Sequence, residues 1–221
     1  MNAPRPRTLV FMAGTATDIG KTWWTAAVAR ELRSRGVGVA ARKPVQSGDP
    51  GSTTDSEVLA DATGDDPDTV CPPARTLHLA WAPPMAAREL GVAPFTTADL
   101  AGGIDWPAPV DIGLVEGVGG PRSPISADGD NVDFAHAIAP DLVVLVADAG
   151  LGTINAVRLS ADALTGFPLV VALNRYRDDP VHAPLHARNL ELLTTVDGFD
   201  VVTTPHALAD RLRVPSPGRR S

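Results

Sequence analysis

The sequence lacks the features of several protein classes. It has one cysteine, Cys71, so no internal disulfide can form, which fits a reducing compartment. No apolar stretch approaches the ~20 residues of a membrane-spanning helix, and residues 8–13 are too short for the core of a signal peptide. The net charge of −7 leaves no basic surface for nucleic acid or an anionic membrane. We therefore expect a cytoplasmic protein with no nucleic-acid partner and no membrane partner.

Lysine is also scarce, because Lys21 and Lys43 are the two lysines among nineteen basic residues. A coding bias toward arginine in a GC-rich genome explains the scarcity itself. Arginine cannot replace lysine where a compact point charge must fit against a phosphate. The two positions that keep lysine are therefore candidates for phosphate contacts.

The order of predicted elements indicates one α/β domain over residues 1–221. The chain is 44% apolar, and short apolar strands alternate with helical segments, which predicts a mostly parallel sheet with helices on both faces. Residues 1–7 and 213–221 are predicted to be loose tails. Predicted strands cover residues 8–13, 37–42, 111–116, 142–147, 169–173 and 201–204. Predicted helices cover residues 21–34, 55–62, 85–90, 97–100, 131–138, 155–164 and 186–196, with a short helix after the last strand. Residues 43–54 are predicted to be a loop and 64–83 to be irregular.

The predicted binding edge lies beyond the carboxyl ends of these strands, where ligands of such sheets bind. Polar or Gly-rich segments follow five of the strands, and they begin at Gly14, Lys43, Glu116, Gly150 and Asn174.

Residues 14–22 read Gly-Thr-Ala-Thr-Asp-Ile-Gly-Lys-Thr between a predicted strand and a predicted helix. This arrangement predicts a P-loop, in which backbone N–H groups surround phosphate oxygens, Lys21 reaches the β- and γ-phosphates, and the Thr22 hydroxyl binds Mg²⁺. The strict pattern has four residues between its glycines, whereas five separate Gly14 from Gly20 here, so the match is to a longer variant. The alternative is a chance Gly-Lys-Thr at a strand–helix turn.

The second lysine lies in Lys43-Pro-Val-Gln-Ser-Gly, directly after the second predicted strand. Pro44 keeps Lys43 out of the helical region, so its side chain could reach across the edge of the sheet and stabilise charge during phosphoryl transfer. Ser47 could donate a hydrogen bond to a substrate oxygen. The alternative is an exposed lysine in a turn.

Asp55 and Glu116 are the predicted carboxylate ligands of Mg²⁺, an ion that prefers oxygen ligands. Glu116 ends an apolar strand and is followed by Gly-Val-Gly-Gly, which lets a ligand approach the backbone closely. Asp55 is equally suited to be the N-cap of a helix.

Two further turns follow strands. Residues 150–155, Gly-Leu-Gly-Thr-Ile-Asn, open a helix whose N-terminus suits a carboxylate, and the side-chain amide at Asn174-Arg175 could read an adenine edge. An ordinary strand–helix turn is the alternative for each.

Together these motifs resemble dethiobiotin synthases over about residues 8–212. The resemblance implies a P-loop NTPase fold and an ATP-dependent cyclo-ligase of biotin biosynthesis. In that reaction diaminopelargonic acid takes up CO₂ as a carbamate, MgATP phosphorylates the carbamate, and the second amine closes a cyclic urea with release of phosphate. It also implies a homodimer in which each subunit's turn at residues 152–155 binds the substrate carboxylate of its neighbour.

The resemblance implies a role for each matching residue. Lys21 and Lys43 would be catalytic, and Thr22, Asp55 and Glu116 would hold Mg²⁺. The substrate would contact Thr17, Ser47, Gly152, Thr153, Ile154 and Asn155. The nucleotide would contact Asp18, Ile19, Gly20, Lys21, Thr22, Trp23, Asp55, Glu116, Gly117, Val118, Gly119, Asn174, Arg175 and Pro205.

Some positions depart from the usual pattern of this family, namely Ala16, residues 82–86 and Ala156. By the resemblance these positions lie near the diamine part of the site, so they weaken the assignment of the substrate more than the assignment of ATP. A P-loop switch of the partitioning type is one rival, but such proteins carry their second lysine near the start of the P-loop. A diverged paralogue acting on another amino or carboxylate substrate is the other rival.

Overall fold

The computed structural model describes residues 5–107 and 109–212. Six strands form the main sheet in the order β2-β5-β1-β6-β7-β8, with every neighbouring pair parallel, and β3 and β4 form a small parallel pair. The strands are β1 Thr8–Gly14, β2 Val39–Arg42, β3 Gln46–Ser47, β4 Thr76–Leu77, β5 Ile112–Glu116, β6 Leu142–Asp148, β7 Leu169–Asn174 and β8 Asp200–Val202.

The helices that connect the strands are α1 Lys21–Ser34, α2 Asp55–Thr63, α3 Pro67–Val70, α4 Pro83–Glu89, α5 Thr97–Gly102, α6 Asn131–Ile138, α7 Thr153–Ala163, α8 Ala183–Glu191 and α9 Pro205–Arg211. A 3₁₀ turn spans Pro73–Arg75, and a π turn, Leu192–Val196, extends α8. Within the described ranges, none of these helices has both the length and the apolar character needed to cross a membrane.

The sheet is covered on both faces because alternate side chains of its central strands enter two different apolar clusters. Phe11 of β1 packs in the cluster that contains Phe134 of α6 and Val157 of α7. Its neighbour Met12 packs in the other cluster, with Trp24 of α1. The prediction of a parallel α/β sheet with helices on both faces is therefore confirmed.

The predicted bounds of α1 and α6 are those observed, and the other main strands and helices differ by a few residues at their ends. Within residues 43–54 and 64–83 the structure has β3, α3, the 3₁₀ turn and β4, which the sequence did not predict. A two-residue strand has no periodicity to recognise, and β3 and β4 pair across 30 positions of the chain. The N-cap of α2 is Thr54, which forms a capping box with Glu57, and Asp55 is the first residue of the helix. The N-cap interpretation of Asp55 is therefore wrong.

Residues 1–4 and 213–221, most of the two predicted tails, lie outside the described residues. Arg5, the first described residue, donates to the backbone oxygen of Ala139 and pairs with Asp141, and Pro6 is buried.

Candidate active site

The five predicted loops lie at one edge of the sheet, because all of their strands run in the same direction. In the strand register Gly14 is paired with Val146, and Met12 is paired with Glu116. Asp148 is paired with Asn174 at the end of β6 and β7. This edge therefore gathers the ends of β1, β5, β6 and β7, and β2 ends beside β5.

Residues 14–20, which we call the phosphate loop, connect β1 to α1 as predicted. Gly20 is the N-cap of α1 with φ 94°, and no side chain caps the helix. The N-termini of α2, α5 and α6, in contrast, each have a capping box. The first N–H groups of α1 are thus left for another acceptor, which is the arrangement that binds phosphate at helix N-termini.

Lys21 folds back over this loop. Its Nζ donates to the backbone oxygens of Ala16 at 3.0 Å and Gly119 at 3.1 Å. Burial, helped by the nearby charge of Lys43, lowers the pKa of Lys21 to about 8. An anion bound at the loop would raise the pKa of Lys21 again, because it would stabilise the charged form of the lysine.

Lys43 lies at the centre of the site and is 2% exposed. Its Nζ contacts Glu116 Oε1 at 2.7 Å, Asp55 Oδ2 at 2.8 Å and the backbone oxygen of Gly117 at 3.0 Å. Burial opposes its charge, but the carboxylates of Glu116 and Asp55 outweigh this effect and raise the pKa of Lys43. The alternative of an exposed lysine in a turn is therefore wrong.

Three oxygens predicted to bind Mg²⁺ converge next to Lys43. The Thr22 hydroxyl contacts Asp55 Oδ1 at 2.8 Å and Glu116 Oε1 at 2.7 Å. Burial disfavours the charge of Asp55, yet Lys43 and Thr22 together lower its pKa, so the carboxylate stays ionised. One hydroxyl and two carboxylates fit the preference of Mg²⁺ for a few protein oxygens completed by phosphate and water.

Among the residues that the structure describes, no group of three or more His, Cys, Asp or Glu side chains could hold a metal ion. A metal at this edge would therefore depend on the Thr22 hydroxyl as well as on the two acids.

A cavity of about 720 Å³ opens at this edge. Both lysines reach its wall, together with Thr17 and Ser47, two of the predicted substrate residues. The Ser47 hydroxyl donates to the backbone oxygen of Trp81 at 2.7 Å. Other predicted residues in the lining are Asp18, Gly20, Thr22, Asp55, Val118 and Gly119, and the segment with the family departures contributes Ala82 and Pro83.

The remaining predicted substrate residues, Gly152 to Asn155, do not line this cavity. They form the start of α7, where Gly152 is an N-cap with φ 93° and no side-chain cap, as at α1. Thr153 is 3% exposed, and its Oγ1 has no hydrogen-bond partner among the described residues. The side-chain amide of Asn189 stabilises the preceding turn by donating to the backbone oxygens of Ala149 and Gly150. The start of α7 is therefore, like those of α1, α4 and α8, a helix N-terminus without a side-chain cap, and it lies outside the cavity lining.

Asn174 and Arg175, both predicted to contact the nucleotide, form hydrogen bonds with the phosphate loop. The side-chain amide of Asn174 donates to the backbone oxygen of Ile19 at 2.8 Å, and Arg175 Nη2 donates to that of Asp18 at 2.8 Å.

Five other predicted nucleotide residues lie outside the cavity lining, and two of them, Ile19 and Glu116, are buried. Trp23 is a half-exposed residue of α1, Pro205 is the first residue of α9, and Gly117 follows β5.

Two residues that the sequence analysis missed support the site. Thr25 donates to Glu116 Oε2 at 2.8 Å and fixes the carboxylate from the side of α1. The amide of Asn131 donates to the backbone oxygens of Val118, Gly120 and Ser123 and accepts from the N–H of Val118. Thr25 lies one helical turn after Lys21, a spacing that could have been noticed. No local signal connects Asn131 to a loop that precedes it by eight residues or more.

Comparisons with known proteins agree with this geometry. A family model described as an AAA domain matches residues 8–205. The chain is 36% identical over 216 residues to the ATP-dependent dethiobiotin synthetase of Anaeromyxobacter dehalogenans (strain 2CP-C), covering 92% of this chain and 93% of the relative. It is 36% identical over 213 residues to the enzyme of that name from Rhodococcus jostii (strain RHA1), covering 92% and 88%.

Among solved structures, a ParA family ATPase from Chlorobium tepidum is similar with a TM-score of 0.52 at 12% identity, covering 88% of this chain and 82% of that one. This likeness shows the fold alone, and the fold is that of P-loop NTPases.

Proposed function

Because the chain belongs to the ATP-dependent dethiobiotin synthetase family of ligases, we propose that it makes dethiobiotin from diaminopelargonic acid, CO₂ and ATP in biotin biosynthesis. The observation that carries the proposal is the position of Lys43, buried between Glu116 and Asp55 and beside the uncapped start of α1. This arrangement provides cations and backbone N–H groups where a phosphoryl group would be transferred.

The proposed reaction has three steps. One amine of the diamine attacks CO₂ and loses a proton, which gives a carbamate. A carbamate oxygen then attacks the γ-phosphorus of ATP, forming a carbamic–phosphoric anhydride and releasing ADP. Finally the second amine attacks the carbamoyl carbon and loses a proton, the C–O bond to phosphate breaks, and the ring closes as a cyclic urea with release of inorganic phosphate.

Lys21 and Lys43 have complementary roles in this scheme. Lys21 turns its ammonium from the backbone oxygens of Ala16 and Gly119 to the β- and γ-phosphates. Lys43, charged because two carboxylates hold it, stabilises the negative charge that develops on the phosphoryl group and the carbamate. Neither lysine has to accept a proton in the phosphoryl step.

A magnesium ion would be held by Thr22, Asp55 and Glu116, whose oxygens already meet. When bound, Mg²⁺ neutralises charge on the phosphate oxygens of ATP. Thr25 keeps the second oxygen of Glu116 occupied, so Oε1 is the oxygen that faces Thr22 and Lys43.

The nucleotide would extend from the phosphate loop along Val118 and Gly119, with adenine near Asn174 and after Pro205 as the resemblance implies. Thr17 and Ser47, which line the cavity, would contact the diamine or its carbamate.

The substrate carboxylate needs a site of its own. The uncapped start of α7 supplies N–H groups, and the buried, unpartnered Thr153 hydroxyl supplies a further donor. Because this turn does not line the cavity of its own subunit, we propose that it completes the site of a second copy in a homodimer.

The test is the synthesis of labelled product. Purified protein with diaminopelargonic acid, MgATP and ¹³C-bicarbonate should form dethiobiotin that carries the label in its ring carbonyl, measured by mass spectrometry. Omitting any one reactant should abolish the product. Protein that binds ATP but forms no dethiobiotin would overturn the substrate assignment, and a diverged paralogue or a P-loop switch would then take its place.

A further inference from the structure

Arg175 lies directly after β7 and connects two loops through its guanidinium group. Nη2 donates to the backbone oxygen of Asp18 at 2.8 Å, and Nη1 pairs with Asp148 Oδ2 at 2.7 Å. The other oxygen of Asp148 accepts the N–H of Gly150 at 2.7 Å. Asp148 therefore anchors the guanidinium through Nη1, while Nη2 forms a hydrogen bond with the phosphate loop.

Arg175 and its neighbour Asn174 together hold two consecutive carbonyl groups of the loop, those of Asp18 and Ile19. In a trans peptide unit the C=O and the following N–H point in opposite directions. Fixing these two carbonyls toward the end of β7 therefore turns the next two N–H groups away from β7. Backbone N–H groups with this fixed direction are what a phosphate loop needs.

The backbone at both ends of the Arg175 contact is strained. Asp18 has φ 55° and Arg175 has φ 56°, in the left-handed region that side chains rarely adopt. Among the described residues, Ala139 is the only other non-glycine with a positive φ. Strained residues persist when their surroundings determine them, and they concentrate at functional sites. Here a direct hydrogen bond joins Arg175 and Asp18, two of the three non-glycine residues with a positive φ.

The ion pair by itself does not explain this arrangement. The side chains of Arg175 and Asp148 are 54% and 37% exposed, and exposed pairs contribute little to stability. Their structural consequence is the direction of the guanidinium, which faces the backbone oxygen of Asp18.

We propose that Arg175 is a positioning residue that, anchored by Asp148, orients the N–H groups of the phosphate loop toward the polyphosphate of the nucleotide. This role differs from the direct nucleotide contact that the resemblance implied for Arg175. It rests only on the nucleotide-binding part of the proposed function, so it can be tested without the diamine.

The experiment compares the full-length wild-type protein with Arg175→Asn, because asparagine tolerates a left-handed backbone and removes the guanidinium. Arg158→Ala is the matched control, since Arg158 makes a bidentate pair with Asp197. Calorimetry measures the dissociation constants of magnesium tripolyphosphate, ATP and GTP for all three proteins, at low salt and at 0.5 M salt. Thermal melting checks that each variant is folded, and Arg175→Lys is used if Arg175→Asn does not fold.

We expect Arg175→Asn to weaken tripolyphosphate and ATP by the same factor, about 5- to 20-fold, as for one lost charge-assisted hydrogen bond. The ratio of ATP to GTP affinity should stay unchanged, the loss should persist at 0.5 M salt, and Arg158→Ala should bind like the wild type.

Three results would overturn the proposal. A loss for ATP but not for tripolyphosphate, or a changed ATP to GTP ratio, would make Arg175 a reader of the base. A loss that disappears at 0.5 M salt would reduce its role to long-range charge. Wild-type affinities in the Arg175→Asn variant would show that Arg175 forms a surface ion pair with no role in nucleotide binding.

Discussion

The two lysines of this chain are both buried, yet their surroundings shift their pKa in opposite directions. Burial and the charge of Lys43 lower the pKa of Lys21 to about 8, whereas Glu116 and Asp55 raise the pKa of Lys43 against its burial. The charge of Lys43 is thus already balanced by two carboxylates. The charged form of Lys21 is the one that an incoming phosphate would stabilise more. The scarcity of lysine indicated these positions, but only the structure shows that they differ in this way.

Lys43 should not tolerate arginine, although the charge is kept. We expect Lys43→Arg to lower turnover by about 10²–10³-fold, as for the loss of one positioned donor, because a planar guanidinium cannot occupy the enclosed place of an ammonium. Steady-state kinetics and ATP binding would be measured together. Turnover close to that of the wild type would refute the argument from lysine scarcity.

Arg30→Lys is a suitable control for this substitution, because Arg30 forms an exposed pair with Asp61 away from the cavity. It should leave both measurements unchanged, since exposed ion pairs contribute little.

At the level of elements, the turn from β1 into α1 demands glycine at position 20 for two reasons. Its φ of 94° is unfavourable for other residues, and a Cβ there would collide with the side-chain amide of Asn174. Gly36, just after α1, has φ 79° and open space around it. Both glycines have a positive φ, but only at Gly20 would a Cβ also collide with a neighbouring side chain.

This difference gives a matched pair of substitutions. Gly36→Ala should lower the free energy of unfolding by about 1 kcal/mol and leave ATP affinity unchanged, because only backbone strain is added. Gly20→Ala should be more destabilising and should also weaken ATP binding, since the contact of Asn174 with Ile19 must break. Urea unfolding and calorimetry measure both effects. Equal effects of the two substitutions on ATP affinity would contradict the account.

How much of each element the sequence could predict depended on its length and on the range of its contacts. The run of apolar residues in β6 and the spacing of Trp24, Val28 and Leu32 in α1 are local signals, and both elements were predicted. The β3–β4 pair consists of two-residue strands far apart in sequence, and no local pattern announces it. The phosphate loop and Lys43 were recognised as motifs, but the supporting contacts of Thr25 and Asn131 arise only from tertiary packing.

At the level of the whole molecule, the uncapped N-termini of α1 and α7 belong to different parts of the edge. The start of α1 faces the cavity, and the start of α7 does not line it. In the proposed homodimer, a complete site takes its cavity from one subunit and its α7 turn from the other.

Mixing two inactive variants tests this sharing. Lys43→Arg impairs the cavity, and Asn155→Asp places a negative charge at the exposed α7 turn, where it should repel the substrate carboxylate. We expect each variant alone to be nearly inactive. After co-expression, about a quarter of wild-type activity should return, because half of randomly formed dimers are mixed and each mixed dimer has one intact site. No recovery, with mixed dimers demonstrated by mass spectrometry, would place the turn and the cavity of one site in the same subunit.

The central claim is that the buried Lys43 and the phosphate loop transfer the γ-phosphoryl group of ATP to a carbamate. The most direct measurement is the rate of phosphate release from MgATP with and without diaminopelargonic acid and bicarbonate. The account predicts that the two together stimulate release, with one phosphate formed per dethiobiotin, and that neither alone does so. ATP binding with no stimulation by the pair, or release that is independent of bicarbonate, would contradict it.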